Sequence, residues 1–247
     1  MTRKRIDVLL VERCVFDSRA KARAAIEAGL VRVGDRVVSK PSEAVDEDAQ
    51  IVAEAAHPWV GRGALKLVHA LDLWPIAVEG RVAIDVGAST GGFTEVMVSR
   101  GAARIYAVDV GRDQLHATLR GDPKVVDLSG TDARALGAEL IPEAPQLVVS
   151  DVSFISLTKA LPAALDLAEQ GADLVALIKP QFEAGRDFVG KGGLVKDPEV
   201  IARVQGEIVD FLEASGWSVQ GLAESPITGG EGQVERLVWA QKKSAAP

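Results

Sequence analysis

The chain has 247 residues, 47% hydrophobic but only 4% aromatic, with 28 Lys and Arg against 35 Asp and Glu. This is the composition of a globular chain with a core of its own, and its length fits one large domain or a small one followed by a larger one. Scarce aromatics, with 24 Gly and 11 Pro dispersed throughout, speak against all-β and coiled-coil classes. A single cysteine, Cys14, excludes an internal disulfide framework and a cysteine-based zinc site; His57, His69 and His116 have no ligand spacing, so no metal is expected. The basic start, Met1-Thr-Arg-Lys-Arg5, is followed by an apolar stretch, Val8 to Val11, too short for a signal peptide and bracketed by Asp7 and Glu12. Nowhere do eighteen apolar residues run together, so a soluble, cytoplasmic protein without membrane insertion is expected.

Charge is unevenly spread. Residues 1–40 hold ten basic and five acidic residues, and residues 41–60 hold five acidic and no basic ones. A local basic excess suits a phosphate-backbone ligand, although basic residues on short helices also serve solubility alone. Ile6, Leu9 and Leu10 stand at i, i+3 and i+4 and predict a first amphipathic helix. Asp17 or Ser18 is placed to cap a second helix running to about Ala28, with Gly29 as its stop. Ala22, Ala25 and Ile26 form its buried stripe, while Arg19 and Arg23 share an exposed face. Leu30 to Val38 then alternates apolar and polar residues around Gly34-Asp35, the pattern of a hairpin.

This stretch, Asp17-Ser-Arg-Ala-Lys-Ala-Arg23 through Ala28-Gly-Leu-Val-Arg-Val-Gly-Asp35 and on to Val45-Asp-Glu-Asp48, resembles the S4 RNA-binding domain. Val33 stands where that family usually has Asn. The resemblance implies recognition of folded RNA largely by shape and phosphates, with Arg5, Arg19, Lys21, Arg23, Arg32 and Arg36 as candidate contacts. The expected division is a small α+β domain over residues 1–56, a linker over 57–63 without clear periodicity, and a larger domain over 64–247.

Beyond Arg81, short apolar runs alternate with helical patterns. Strands are predicted at Val82–Val86, Arg104–Val108, Lys124–Val126, Gln146–Ser150, Leu174–Ile178, Ser218–Ala223 and Leu237–Ala240. Helices are predicted at Phe93–Arg100, Leu157–Glu169 and Glu199–Ser215. Regular alternation predicts an α/β domain of Rossmann-like type, a mostly parallel sheet with ligands beyond the carboxyl ends of its strands.

The first such loop is Asp85-Val-Gly-Ala-Ser-Thr-Gly-Gly-Phe93, in which Ser89 replaces a glycine of the dinucleotide pattern. The next strand ends in Asp109, placed to accept ribose hydroxyls. Carboxylates that meet hydroxyls and an ammonium favour S-adenosylmethionine as the cofactor. Its candidate binding residues are Asp85, Gly87, Ser89, Gly91, Gly92, Phe93 and Asp109. Asp132 reads either as an acceptor for the adenine amino group or as a solvated turn residue.

Two later strands end at Asp151 and at Lys179, and a glycine-rich turn, Ser225 to Glu235, leads into the last strand. A lysine ending an apolar strand needs a carboxylate or a polar cleft, and Asp151 supplies one. With Lys66, which begins the helix before the first strand, this set resembles the FtsJ-like 2′-O-methyltransferases and their Lys-Asp-Lys-Glu tetrad. Lys66, Asp151, Lys179 and Glu235 fall on it in order. With the S4-like part in front, residues 5–240 resemble the TlyA family, also labelled haemolysin A; Gln233 stands where many members have Asn. The resemblance implies a cytidine 2′-O-methyltransferase acting on ribosomal RNA or a ribosomal subunit. The absence of a long C-terminal helix looks like the family's short form, which implies the large-subunit RNA. On this reading Lys179 steers or deprotonates the 2′-hydroxyl, Asp151 orients Lys179, and Lys66 and Glu235 complete the network; Lys66 close to Lys179 would lower the proton affinity of both, while Asp151 and Glu235 push the other way. Two ordinary salt bridges are the plainer account of the same four residues. Glu183 to Asp197, glycine-rich with Arg186, Lys191 and Lys196, reads as an RNA-contacting lid or as a passive loop. The rival functions are a membrane-active haemolysin-like protein, a non-catalytic RNA-binding assembly factor and a small-molecule methyltransferase.

Overall fold

The computed structural model describes residues 2–229 and 232–244. The chain divides into two compact units, Met1–Arg62 and Gly63–Pro247, at the end of the segment read as a linker.

The first unit runs β1 (Arg3–Arg5), α1 (Ile6–Glu12), α2 (Arg19–Glu27), β2 (Val31–Val33), β3 (Arg36–Val37), β4 (Ala44–Asp46) and β5 (Ile51–Ala53). The apolar spacing of the two helices places Ile6, Leu9, Leu10, Ala22, Ala25 and Ile26 in one core with Phe16, Val31 and Val45. Of the two expected caps Ser18 is the one used, its side chain accepting from the Lys21 backbone N–H at 3.3 Å. The expected hairpin is β2 with β3. Two pairings carry no local signal: β1 lies antiparallel to β4, and β5 lies antiparallel to β2. Both join segments distant in sequence, so periodicity does not reveal them.

The second unit runs α3 (Ala64–Leu73), β6 (Val82–Val86), α4 (Gly92–Ser99), β7 (Arg104–Asp109), α5 (Ala117–Arg120), β8 (Val125–Ser129), β9 (Leu147–Ser150), α6 (Leu157–Ala160), α7 (Pro162–Leu167), β10 (Asp173–Ile178), α8 (Pro180–Glu183), α9 (Pro198–Ala214), β11 (Trp217–Glu224) and β12 (Arg236–Lys242). The seven strands form one sheet in the order β11-β12-β10-β9-β6-β7-β8. The pairs from β10 to β8 are parallel, and β12 runs antiparallel to both of its neighbours. This is the Rossmann-like sheet expected. The helix expected over 157–169 is broken into α6 and α7 because Pro162, with no N–H to donate, starts a new helix. The third strand starts and ends later than expected, at Val125–Ser129.

From β6 the chain builds outward to β7 and β8, then returns to lay β9 and β10 on the other side of β6. The carboxyl ends of β6 and β9 therefore flank the reversal in strand order, where α/β sheets open a crevice. The opposite end of the sheet is locked by Asp173, which is 3% exposed. Its carboxylate accepts from Arg81 at 2.6 Å, the Trp239 indole at 2.9 Å and Gln241 at 3.1 Å, tying β10 to β12 and to the chain entering β6. Asp173→Ala leaves three part-buried donors without this acceptor and should cost about 2 kcal/mol, read as a lowered midpoint in denaturant melts. A change below about 1 kcal/mol would contradict this role.

Candidate active site

The loop leaving β6 is shaped by its contact with the loop leaving β9. Gly87 has φ +87°, and a Cβ there would lie 2.9 Å from a methyl of Val152. Only glycine lets the two strand ends approach this closely. Asp109, at the end of β7, fixes the same loop: its carboxylate accepts from the backbone N–H of Ser89 at 2.8 Å and of Gly111 at 2.7 Å. Between these loops lies a cavity of about 560 Å³ whose wall includes Gly87, Ser89, Asp109 and Asp132.

Four other residues expected at the cofactor are not on that wall. Phe93 is 3% exposed and belongs to the core. Gly92 is buried at the start of α4, and Gly91 has φ +95° with Leu119 against it, so a Cβ would meet Leu119 at 2.3 Å. These two glycines turn the chain into α4. Asp85 is fully buried; its Oδ2 accepts from the Thr94 hydroxyl at 2.6 Å, while Oδ1 has no hydrogen-bond partner among the described residues. Burial pushes its carboxyl up to about 7. Asp132 faces the cavity but is already held by Arg134, whose guanidinium lies 2.6 Å away and keeps the carboxyl at about 2. Sequence reasoning missed Val110, Gln114, Arg134, Ser153 and Phe154 on the wall. The exposure of Val110 and Phe154, 76% and 90%, is invisible in an apolar residue type.

Beside this wall, four separated segments bring Lys66, Asp151, Lys179 and Glu235 into one chain of ion pairs. Lys66, in the first turn of α3, donates to Glu235 at 2.6 Å and sits 3.3 Å from Asp151 Oδ2. Lys179, directly after β10, pairs with Asp151 Oδ1 at 2.7 Å. Lys66, Lys179 and Glu235 are 5%, 6% and 2% exposed. Charges alternate along the chain Glu235–Lys66–Asp151–Lys179, so Asp151 intervenes between two lysines that were expected to adjoin. Asp151 is not the sole orienting group, because Lys179 Nζ also donates to the Ser153 hydroxyl at 3.0 Å and to the Asp151 carbonyl at 3.3 Å. A Cβ on Gly63 would lie 3.3 Å from Asp151 Oδ2, so the start of α3 passes close by the shared carboxylate.

The segment after Lys179 is tied down at both ends. Glu183 accepts from the Leu157 N–H at 2.9 Å, and the amide of buried Gln233 accepts from and donates to the Val195 backbone at 2.8 and 3.1 Å. Open surface is presented between these anchors, with Arg186 and Lys191, and again just beyond Val195 at Lys196. In the first unit each candidate RNA contact has an intramolecular partner. Arg5 and Arg19 hold Asp7, Lys21 holds Asp17 at 2.8 Å, and Arg36 holds Glu43 at 2.6 Å. Arg23 lies 3.9 Å from Glu27, and Arg32 donates to the Asp35 carbonyl at 3.0 Å.

Residues 59–242 match the FtsJ-like methyltransferase family, and residues 4–51 match the S4 domain. The chain belongs to the FtsJ-like methyltransferases. Within them it belongs to the TlyA family. It is 45% identical to the 16S/23S rRNA (cytidine-2′-O)-methyltransferase TlyA of Mycobacterium tuberculosis, over 98% of this chain and 91% of that protein. It is 37% identical to hemolysin A of Brachyspira hyodysenteriae, over 94% of this chain and 98% of that protein. A solved structure from Streptococcus thermophilus carrying a hemolysin label superposes with a TM-score of 0.78 at 38% identity, covering 99% of this chain and 90% of that one. For this FtsJ-like chain, the ion-pair geometry separates the two lysines by experiment. Lys66→Ala leaves buried Glu235 without its cation and should destabilise by about 3–5 kcal/mol, whereas Lys179→Ala leaves Asp151 still paired and should cost about 1 kcal/mol. Thermal melts of both variants check the order; an equal or reversed ranking would contradict it.

Proposed function

We propose that the protein is an S-adenosylmethionine-dependent rRNA (cytidine-2′-O)-methyltransferase acting on large-subunit rRNA in the cytoplasm. The observation that carries this reading is the alternating Lys66, Asp151, Lys179 and Glu235 network at the edge of the crevice of an FtsJ-like fold. The cavity suits the cofactor in size and chemistry. Asp109, on the cavity wall, keeps lone pairs for ribose hydroxyls after accepting two backbone N–H groups. The cofactor supplies an electrophilic methyl group when bound.

The work of this chain is alignment. A ribose 2′-hydroxyl is a weak nucleophile, and much of the acceleration comes from holding it in line with the methyl carbon. Lys179 is the group that holds the 2′-oxygen. Asp151 and Ser153 fix the direction of its ammonium, while Lys66 and Glu235 hold Asp151 in turn. Substrate affinity is divided between the basic first unit and the open part of the 183–197 segment, which serves as an RNA-contacting lid. A membrane-lytic role finds no support: among the described residues, no helix is long and apolar enough to cross a membrane.

Single-turnover methylation of large-subunit rRNA tests the assignment. Lys179→Ala and Lys179→Arg should each lose about 100-fold or more in rate with the cofactor affinity unchanged, since a guanidinium fork does not occupy an ammonium's position. An active Lys179→Arg enzyme would make the residue a plain ion-pair partner. Asp109→Ala should weaken S-adenosylmethionine binding about tenfold by calorimetry, one good hydrogen bond's worth; unchanged affinity would remove Asp109 from the cofactor site.

A further inference from the structure

The first unit buries a carboxylate that its core does not require. Asp7 lies in the first turn of α1, 0% exposed, next to the apolar Ile6 and Leu10. Arg5 grips it with two parallel bonds, Nε to Oδ1 and Nη2 to Oδ2, both 3.0 Å. Arg19, twelve residues on at the start of α2, donates to Oδ2 at 2.8 Å. Burying a carboxylate is costly and stabilises little compared with an apolar side chain of the same size. What it achieves here is geometric. The two guanidiniums converge on one anion from below and remain 51% and 57% exposed above it. Their other N–H groups have no partner among the described residues.

Three other cations of this unit are arranged differently, while Arg3, Arg13 and Arg32 donate to backbone carbonyls. Lys4 is paired with Glu12 and Glu47, Lys21 with Asp17 and Arg36 with Glu43, each through a carboxylate at the surface. Those pairs cancel where a ligand would meet them. The Arg5, Asp7 and Arg19 cluster keeps a net positive charge, with its single negative charge on the inner side. Two guanidiniums held on one carboxylate each keep further N–H donors, and a second anion can accept them.

We propose that Asp7 is a positioning residue that holds Arg5 and Arg19 as a preformed clamp for a backbone phosphate of folded RNA. This rests on the reading of the first unit as RNA-binding. Fixed side chains lose less rotamer entropy on binding than free ones, so the clamp gains affinity over two unconstrained arginines.

The proposal and a simple charge account give opposite signs. Asp7→Asn adds one positive charge to the unit. Arginines acting as point charges would then bind RNA more tightly, whereas a clamp that has lost its inner anchor binds less tightly. The experiment measures binding of the full chain to purified large-subunit rRNA at several salt concentrations, with hydrogen exchange of residues 3–53 reporting folding. Asp7→Asn should weaken binding about tenfold and make the dependence of log affinity on log salt shallower by about one. Equal or tighter binding by a folded Asp7→Asn protein would overturn the proposal. Should Asp7→Asn fail to fold, the double variant Arg5→Lys, Arg19→Lys decides, because it conserves charge at exposed positions and removes only the forks. It should also lose about tenfold, and wild-type affinity would overturn the clamp. The double alanine variant separates the two levels of the reading. If it binds RNA as the wild type does, these arginines do not contact RNA at all. If it alone weakens binding, they contact RNA without preorganisation by Asp7.

Discussion

One carboxylate, Asp151, is shared by two lysines that arrive from separate segments of the second unit. Lys66 approaches Oδ2 from α3 at 3.3 Å, and Lys179 approaches Oδ1 from the end of β10 at 2.7 Å. Neither lysine is stable at this depth without a counterion, and Asp151 is the single group placed to serve both. The rest of the site follows from that sharing. Glu235 serves as a second anion for Lys66, which places a carboxylate directly before β12. Gly63 is needed because the start of α3 passes the shared carboxylate too closely for a Cβ to fit without adjustment.

The same strand ends also line the cavity proposed for the cofactor, so the two halves of the site share one support. Ser153 lies on the cavity wall and hydrogen-bonds Lys179, two residues from the carboxylate that pairs with it. Gly87 packs directly on Val152 between them. A transfer reaction between a cofactor in the cavity and an oxygen held by Lys179 needs this fixed relation, and the parallel β6–β9 pair supplies it.

Most of this architecture was legible in the residues. Short apolar runs mark all seven strands of the large sheet, most clearly the central parallel strands β6, β9 and β10, whose burial leaves a nearly continuous apolar signal. Asp151 and Lys179 stand out because charged residues end apolar strands, whereas Lys66 and Glu235 are marked by the family resemblance. Legibility failed where meaning depends on packing. Phe93 and Gly91 sit in a loop that looks wholly devoted to a ligand, yet their neighbours are Leu119 and the core. Asp132 carries the right chemistry, but Arg134 two positions later claims it. In the first unit, Arg5 and Arg19 read as two members of a basic scatter, and only the fold shows that both reach Asp7.

The central claim is that this network directs a methyl group to a ribose oxygen of ribosomal RNA. Its most direct measurement is nucleotide-resolution mapping of methyl marks on unmodified large-subunit rRNA after incubation with the protein and S-adenosylmethionine. The account predicts new 2′-O-methylcytidine at a defined position that resists alkaline cleavage. Methyl groups appearing on base atoms, or no transfer to RNA by a folded protein that binds the cofactor, would contradict it.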